Sequence, residues 1–195
     1  MNSLSTSRAI ESALEDDSVV FAPPLTTGEI RRIEEEYHFR FPPDLKEFLM
    51  FALPISKGFM NWRDATEREV VDSLTWPFGG MCFDIQNNCF WPAEWGDRPS
   101  SLEEAFEIAR KAVNAAPTLI PIAGHRYIPD RPHEHGNPVF SVYQTDIIYY
   151  GSDLFNYLEN EFSYYFRGPG ENFRYDPEIK AIDFWSKLVE WNESA

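Results

Sequence analysis

The sequence predicts an α+β fold: a single domain in which an antiparallel or mixed sheet packs against several helices, with an extra C-terminal helix. Three observations predict it. Segments with apolar residues at helical spacing open and close the chain of 195 residues. Short strand-like segments cluster in its second half, and consecutive short strands favour such a sheet. A hydrophobic fraction of 43% without an internal repeat or a linker indicates one globular unit.

The first part of the chain is predicted to form three helices. Residues 4–14 carry a weak apolar stripe and are followed by the break "FAPPL". "TTGEIRRIEEEYHF" begins a second helix, in which Thr26 and Glu29 have the spacing of a capping box. Pro42 and Pro43 fit the start of a third helix, where a missing N–H costs nothing. The predicted buried residues of the last two helices are Ile30, Ile33, Tyr37, Leu45, Phe48, Leu49 and Ala52.

The next segment is predicted to contain a short helix, a loop and a strand. The helix is expected near residues 67–74, and Pro77, Gly79 and Gly80 indicate a loop after it. The alternating apolar residues of "GMCFDIQNN" predict a strand over residues 81–85 that ends in a turn.

A further helix is predicted to begin at Ser100 or Ser101, each of which has a glutamate three residues later, and to end at Pro117. "TLIPIAG" and "HRYIPD" then predict a hairpin, and "NPVFSVYQTDIIYYG" predicts two more strands around a turn at Gln144 and Thr145.

The chain is predicted to end in two helices. The first follows Gly151 in "DLFNYLENEFSYYF". After the loop "RGPGENFRYD", the second is expected to be capped by Asp176 and to start at Pro177. Its predicted inward residues are Ile179, Ile182, Trp185 and Val189.

The charge of the chain bears on its partners. There are 32 Asp and Glu residues against 17 Lys and Arg, which gives a net charge of −15. Such a field disfavours nucleic acid and anionic membranes and attracts a basic protein. A simpler interpretation is that the acidity keeps an aromatic-rich chain soluble.

The cellular location is expected to be the cytoplasm. The N-terminus has no apolar signal-peptide core, and no run approaches the length of a membrane span. Cys82 and Cys89 are too few for a disulfide framework.

Catalytic motifs are weak, so we predict a non-enzymatic protein without a cofactor. His133 and His135, with His125 or Asp130, are the best candidate metal ligands, because His-x-His on a strand presents both rings to one side. The surrounding "PDRPHEHGNP" is rich in Pro and Gly, however, which favours a loop with surface histidines. No serine or cysteine lies in a nucleophile motif, and "GPGENF" lacks the lysine of a phosphate loop. Trp62, Trp91 and Trp95 are candidate interface anchors, although packing is the simpler use of each.

Two blocks of the sequence resemble the SUKH superfamily (Smi/Knr-like domains), which contains a fungal regulator of cell-wall synthesis and bacterial toxin-immunity proteins. The first block is "LTTGEIRRIEEEYHFRFPPDLKEFL", although its Asp44 directly follows the proline, where the family pattern has one residue between them. The second comprises "LIPIAGHRYIP" and "GNPVFSVYQTDIIYYGSDLFNYLENEF". These motifs are structural, and the segment between the two blocks matches poorly.

The resemblance implies a compact α+β domain without a catalytic centre. It divides the chain into residues 1–24 (N-terminal helix and linker), 25–166 (SUKH-like domain) and 167–195 (C-terminal loop and helix packed on that domain). The implied function is that of an immunity protein that neutralises a cognate toxin, often a basic nuclease. The alternatives are a regulatory or scaffold protein of the cell envelope and a metal-dependent hydrolase that uses His125, His133 and His135.

Four acidic residues near sheet edges and loops are the candidate contacts with a basic partner: Asp130, Glu134, Asp146 and Asp153. Two of them have competing structural uses. Asp153 is placed to cap the helix that follows Gly151, and Asp146 is placed to hold a hairpin turn.

Overall fold

The computed structural model describes residues 19–56, 58–162 and 178–194, and it confirms the predicted α+β fold. The helix expected over residues 4–14 lies outside the described residues, as do Asp176 and Pro177. The described helices are α1 (Thr27–Tyr37), α2 (Pro43–Phe51), α3 (Glu67–Asn87), α4 (Leu102–Ala115), α5 (Leu154–Phe162) and α6 (Trp185–Ser194). The described strands are β1 (Phe21–Ala22), β2 (Leu53–Pro54), β3 (Leu119–Ala123), β4 (Arg126–Pro129), β5 (Val139–Tyr143) and β6 (Asp146–Gly151).

The main sheet is an antiparallel meander in the order β3-β4-β5-β6. Both predicted hairpins are present, and the β5–β6 turn falls at Gln144 and Thr145, with Gln144 at a left-handed φ of 58°. A small second sheet, which the sequence did not predict, pairs β1 with β2.

Neighbouring residues of a strand point to opposite sides of the sheet, so each face of the main sheet packs into its own hydrophobic core. On one side, Ile120 and Val139 pack with residues of α1, α2 and α5. On the other side, Leu119 and Phe140 pack with residues of α3, α4 and α6. Five of the predicted buried residues lie in the first core: Ile30, Ile33, Leu45, Phe48 and Leu49. Ala52 is buried directly after α2, and Tyr37 is half-buried at the margin of the first core.

The predicted capping box of α1 and the predicted proline start of α2 are both confirmed. The Thr26 hydroxyl accepts from the Glu29 N–H at 3.2 Å, and the Glu29 carboxylate accepts from the Thr26 N–H at 2.8 Å. Arg63 adds to this box, because its Nε donates to Glu29 at 2.6 Å while its other nitrogens donate to the carbonyls of Pro23 and Pro24. The arginine thereby ties the entry to α1 to the segment before α3.

Helix α3 corrects the prediction for residues 75–87, which are helical and not a loop and a strand. Pro77 lacks the N–H that would bond the Ser73 carbonyl, and the Tyr127 hydroxyl donates to that carbonyl instead, at 3.0 Å. Met81 and Ile85 are buried one helical turn apart, whereas Phe83 lies on the outer face and is 49% exposed. The apolar residues at alternating positions therefore belong to two different faces of a helix and not to one face of a strand.

The last helix also starts later than predicted. Residues 178–182 are not helical, and α6 begins at Trp185. Ile182, Trp185 and Val189 are buried as expected, while Ile179 is only half-buried. The Trp185 indole N–H donates to the Pro117 carbonyl at 2.7 Å, which joins α6 to the start of the main sheet.

Candidate functional site

The histidine-rich segment is a loop fastened by a lysine. The Lys180 ammonium donates to Glu134 Oε1 at 2.8 Å, to the His135 carbonyl at 2.9 Å and to Asn137 Oδ1 at 3.1 Å. Asn137 is fully buried, and its amide donates to the carbonyls of Pro129, at the end of β4, and of Pro132. Gly136 donates its N–H to Asp44 at the start of α2, at 3.1 Å. These bonds hold the loop between α2 and the segment before α6.

The side chains of His125, His133 and His135 do not come together with other possible ligands from the described ranges around one metal position. His133 and His135 are exposed, and His135 Nε2 lies 3.0 Å from Glu47 Oε1. His125 is in the β3–β4 turn, where partial desolvation and the nearby Arg126 lower its pKa. Among the described residues, no group of three His, Cys, Asp or Glu side chains is arranged to hold a metal ion.

Two of the four candidate acids are used within the fold. Asp130 accepts from the Thr118 N–H at 2.7 Å at the end of the β3–β4 ladder, and burial raises the pKa of its carboxyl group. Asp153 accepts from the Asn156 N–H at 2.7 Å, so it caps α5 as its competing use suggested.

The other two candidate acids are exposed. Glu134 is paired with Lys180, whose hydrogen bond lowers the pKa of the glutamate. Asp146 lies at the start of β6, directly opposite Tyr143 of β5.

The hairpin turn beside Asp146 is held by a different residue. The N–H and the hydroxyl of Thr145 both donate to the buried Asp84 of α3, at 2.9 and 2.6 Å. Four residues before Asp84, Gly80 lies so close to Gln144 that an added Cβ would be 2.7 Å from its Cα. The tip of the β5–β6 hairpin is thus fixed against α3.

The space between this hairpin and α3 forms a surface groove of about 500 Å³. We call it the aromatic groove, because three large aromatic side chains stand along it. Trp76 is 48% exposed, Phe83 is 49% exposed and Tyr143 is 58% exposed. The groove is lined by Asp72, Thr75, Trp76, Gly79, Gly80, Phe83, Tyr143 and Gln144.

Helical spacing explains the composition of the groove. Asp72, Trp76 and Phe83 are separated by four and seven residues, so they lie on one face of α3. Gly79 and Gly80 lie between the two aromatic residues and leave the floor without side chains. The turn fixed by Asp84 places Tyr143 on the opposite side.

A second hollow, of about 440 Å³, lies between the start of α3 and the end of β3. It includes Asp64 and Glu69, but both carboxylates have local bonds: Asp64 accepts from Asn61, and Glu69 accepts from Thr66. Because each carboxylate already accepts a local hydrogen bond, this hollow is a weaker candidate for a binding site.

The three tryptophans offered as interface anchors are packed within the fold, which is the simpler use expected for them. Trp62 is buried in the first core, and Trp91 and Trp95 are half-buried with their rings packed edge to face at 5.3 Å. Trp76 is an exposed tryptophan of the groove and was not singled out. The spacing of Asp72, Trp76 and Phe83 would have indicated that Trp76 lies on a shared face, but only if residues 67–87 had been predicted to form one helix.

Comparisons of the chain with family models, with curated proteins and with solved structures found no match. Across the three described ranges, no helix has the length and apolarity needed to cross a bilayer.

Proposed function

We propose that this protein is a non-enzymatic binding module that neutralises a basic toxin domain, as an immunity protein does. The observation that carries the proposal is the aromatic groove on a chain with a net charge of −15. The resemblance to the SUKH superfamily supports the same function. The proposal places the protein in the cytoplasm, where the free thiols Cys82 and Cys89 would stay reduced.

The groove has the composition of a binding hot spot. Tryptophan and tyrosine are enriched among residues that dominate binding energy, because they bury a large area at a small cost in side-chain entropy. Trp76, Phe83 and Tyr143 each expose about half of their surface in the free chain. A partner that covers them gains apolar burial at about 25 cal/mol per Å² before the costs of association.

The charge favours a basic partner over a neutral one. Asp72 lines the groove, and Asp146 stands across the β5–β6 pair from Tyr143. The acidic field of the whole chain accelerates the approach of a positively charged protein. Nucleases carry such surfaces where they bind phosphates, so an acidic cover competes directly with their substrate.

The described geometry favours a metal-dependent hydrolase less. A metal-dependent hydrolase needs converging ligands, and His125 lies in a different turn from the loop that carries His133 and His135. A regulatory role in the cell envelope would use the same groove for a different partner. The partner encoded beside this gene separates these cases, because an immunity protein is expected next to its toxin.

The test is a titration with the basic toxin domain encoded by the adjacent gene. We expect a one-to-one complex whose association slows as salt is added, because ions screen the attraction beyond about 10 Å at 0.1 M. An adjacent gene without a toxin domain, the absence of binding, or an association rate indifferent to salt would each overturn the proposal.

A further inference from the structure

We propose that the aromatic groove receives an arginine side chain of the partner, held by cation–π contact with its rings and by the carboxylate of Asp72. This inference rests on the proposed function and states which chemical group of the basic partner enters the site.

The shape of the groove suits a flat cationic group. Trp76 and Phe83 stand two helical turns apart on α3, and Tyr143 faces them from the hairpin. The floor between them has no side chain at Gly79, where an added Cβ would meet nothing within 4 Å. A planar guanidinium can therefore enter beside these rings without displacing a side chain at Gly79.

The charges around the groove favour a cation over an apolar side chain. Asp72 is the charged residue among those that line it. Arg68 pairs with Asp72 at 3.4 Å, but both side chains are largely exposed, and such a pair contributes little to stability. The carboxylate can exchange this partner for an incoming guanidinium, and Asp146 adds negative charge beside Tyr143.

The same helix shows the contact that we infer. On another face of α3, the Arg110 guanidinium lies over the Phe78 ring, 4.5 Å from its centre. Among the described residues, no arginine or lysine covers Trp76, Phe83 or Tyr143 in this way. Trp76, Phe83 and Tyr143 therefore offer exposed rings for the type of cation–π contact that Arg110 makes with Phe78.

Arginine fits this site better than lysine. Its guanidinium is planar, stacks on aromatic faces and can give two parallel hydrogen bonds to one carboxylate, whereas an ammonium is compact and strongly hydrated. The groove offers both the faces and the carboxylate.

The test compares two short peptides, acetyl-Gly-Arg-Gly-amide and the same peptide with citrulline, a neutral isostere of arginine. Binding is followed by NMR through the indole N–H signal of Trp76, which is assigned by its loss in Trp76→Leu. We expect saturable shifts with the arginine peptide and an affinity about two- to fivefold lower with citrulline, as for a cation–π contact at an exposed site.

Variants place the probe in the groove. Trp76→Leu should weaken binding by at least the same factor, followed through the remaining signals of the groove, and Asp72→Asn should reduce the preference for arginine. Phe51→Leu changes a phenylalanine that is 54% exposed outside the groove, and it should leave the affinity unchanged. Circular dichroism establishes that each variant is folded.

Equal affinity for the arginine and citrulline peptides, or equal binding of a third peptide with lysine in place of arginine, would overturn the inference. An affinity unchanged by Trp76→Leu, or no measurable shift, would overturn it as well. If the toxin domain still binds in that case, only the inference fails. If the toxin domain itself does not bind, the proposed function fails independently of the peptide result.

Discussion

Gly79 and Gly80 are neighbours on α3, yet alanine should have opposite effects at the two positions. At Gly79 an added Cβ would meet nothing within 4 Å. At Gly80 the Cβ would lie 2.7 Å from Gln144 Cα and 3.2 Å from its backbone nitrogen. These are backbone atoms of a turn that is fixed to Asp84, so they cannot move aside as a flexible side chain could.

The two variants share one favourable effect and differ in one unfavourable effect. Alanine is about 1 kcal/mol better than glycine within a helix, so Gly79→Ala should raise the free energy of unfolding by about that amount. Gly80→Ala gains the same helix preference but adds an overpacking cost of about 1–3 kcal/mol. The difference between the variants therefore isolates the contact between α3 and the hairpin, and Gly80→Ala should be less stable by about 1–3 kcal/mol.

The assay is urea unfolding of both variants, followed by circular dichroism, with thermal unfolding as a second measurement. For a chain of this size, 1 kcal/mol corresponds to about 2–4 °C in Tm. If Gly80→Ala is as stable as Gly79→Ala, the hairpin does not lie against α3, and the aromatic groove has a different shape.

Three further predictions concern the groups that hold the fold. Asp84→Ala removes the acceptor of the hairpin turn and should lower the free energy of unfolding by about 1–3 kcal/mol, measured in urea; an unchanged midpoint would show that the turn is held otherwise. The pKa of Glu29 is lowered from 4.5 to about 2, first by the hydrogen bond from Arg63, so its contribution to stability is complete above pH 4.5 and is lost as the pH falls through about 2. Glu29→Gln should therefore lower the stability at neutral pH, by an amount that shrinks towards pH 2. The control Glu69→Gln alters a capping box that has no arginine, and it should change the stability less. Equal effects of the two variants in thermal unfolding at a series of pH values would contradict the role of the ion pair. The Tyr157 hydroxyl is buried with no hydrogen-bond partner among the described residues, so Tyr157→Phe should leave the stability unchanged or raise it by about 1 kcal/mol. A clear loss of stability in that variant would show that the hydroxyl has a partner.

Periodicity predicted most of the described elements because their partners are close in the sequence. The β5–β6 hairpin and the capped start of α1 depend on short-range patterns, and both were predicted. The second half of α3 was missed because two of its three helix breakers, Pro77 and Gly80, are accommodated by distant residues. The Tyr127 hydroxyl satisfies the carbonyl left unbonded by Pro77, and Gln144 occupies the space where Gly80 has no Cβ.

The candidate site was only partly predictable for the same reason. The groove needs α3 and a hairpin tip that is 61 residues further along the chain, and nothing in a local window links them. Of the four acids chosen from the sequence, Asp146 lies beside the groove, and Asp130 and Asp153 serve the sheet and a helix cap. A local pattern marks an acid near a loop, but it does not show whether the backbone already uses that carboxylate.

The most direct test of the central claim is the affinity of the adjacent-gene toxin domain for two matched variants. Phe83→Ala removes a half-exposed ring inside the groove, and Phe51→Ala removes a ring of similar exposure, 54%, outside it. Calorimetry should show a Kd at least about tenfold higher for Phe83→Ala, as expected when a hot-spot residue is truncated, and an unchanged Kd for Phe51→Ala. Equal Kd values for the two variants would contradict the assignment of the groove as the binding site.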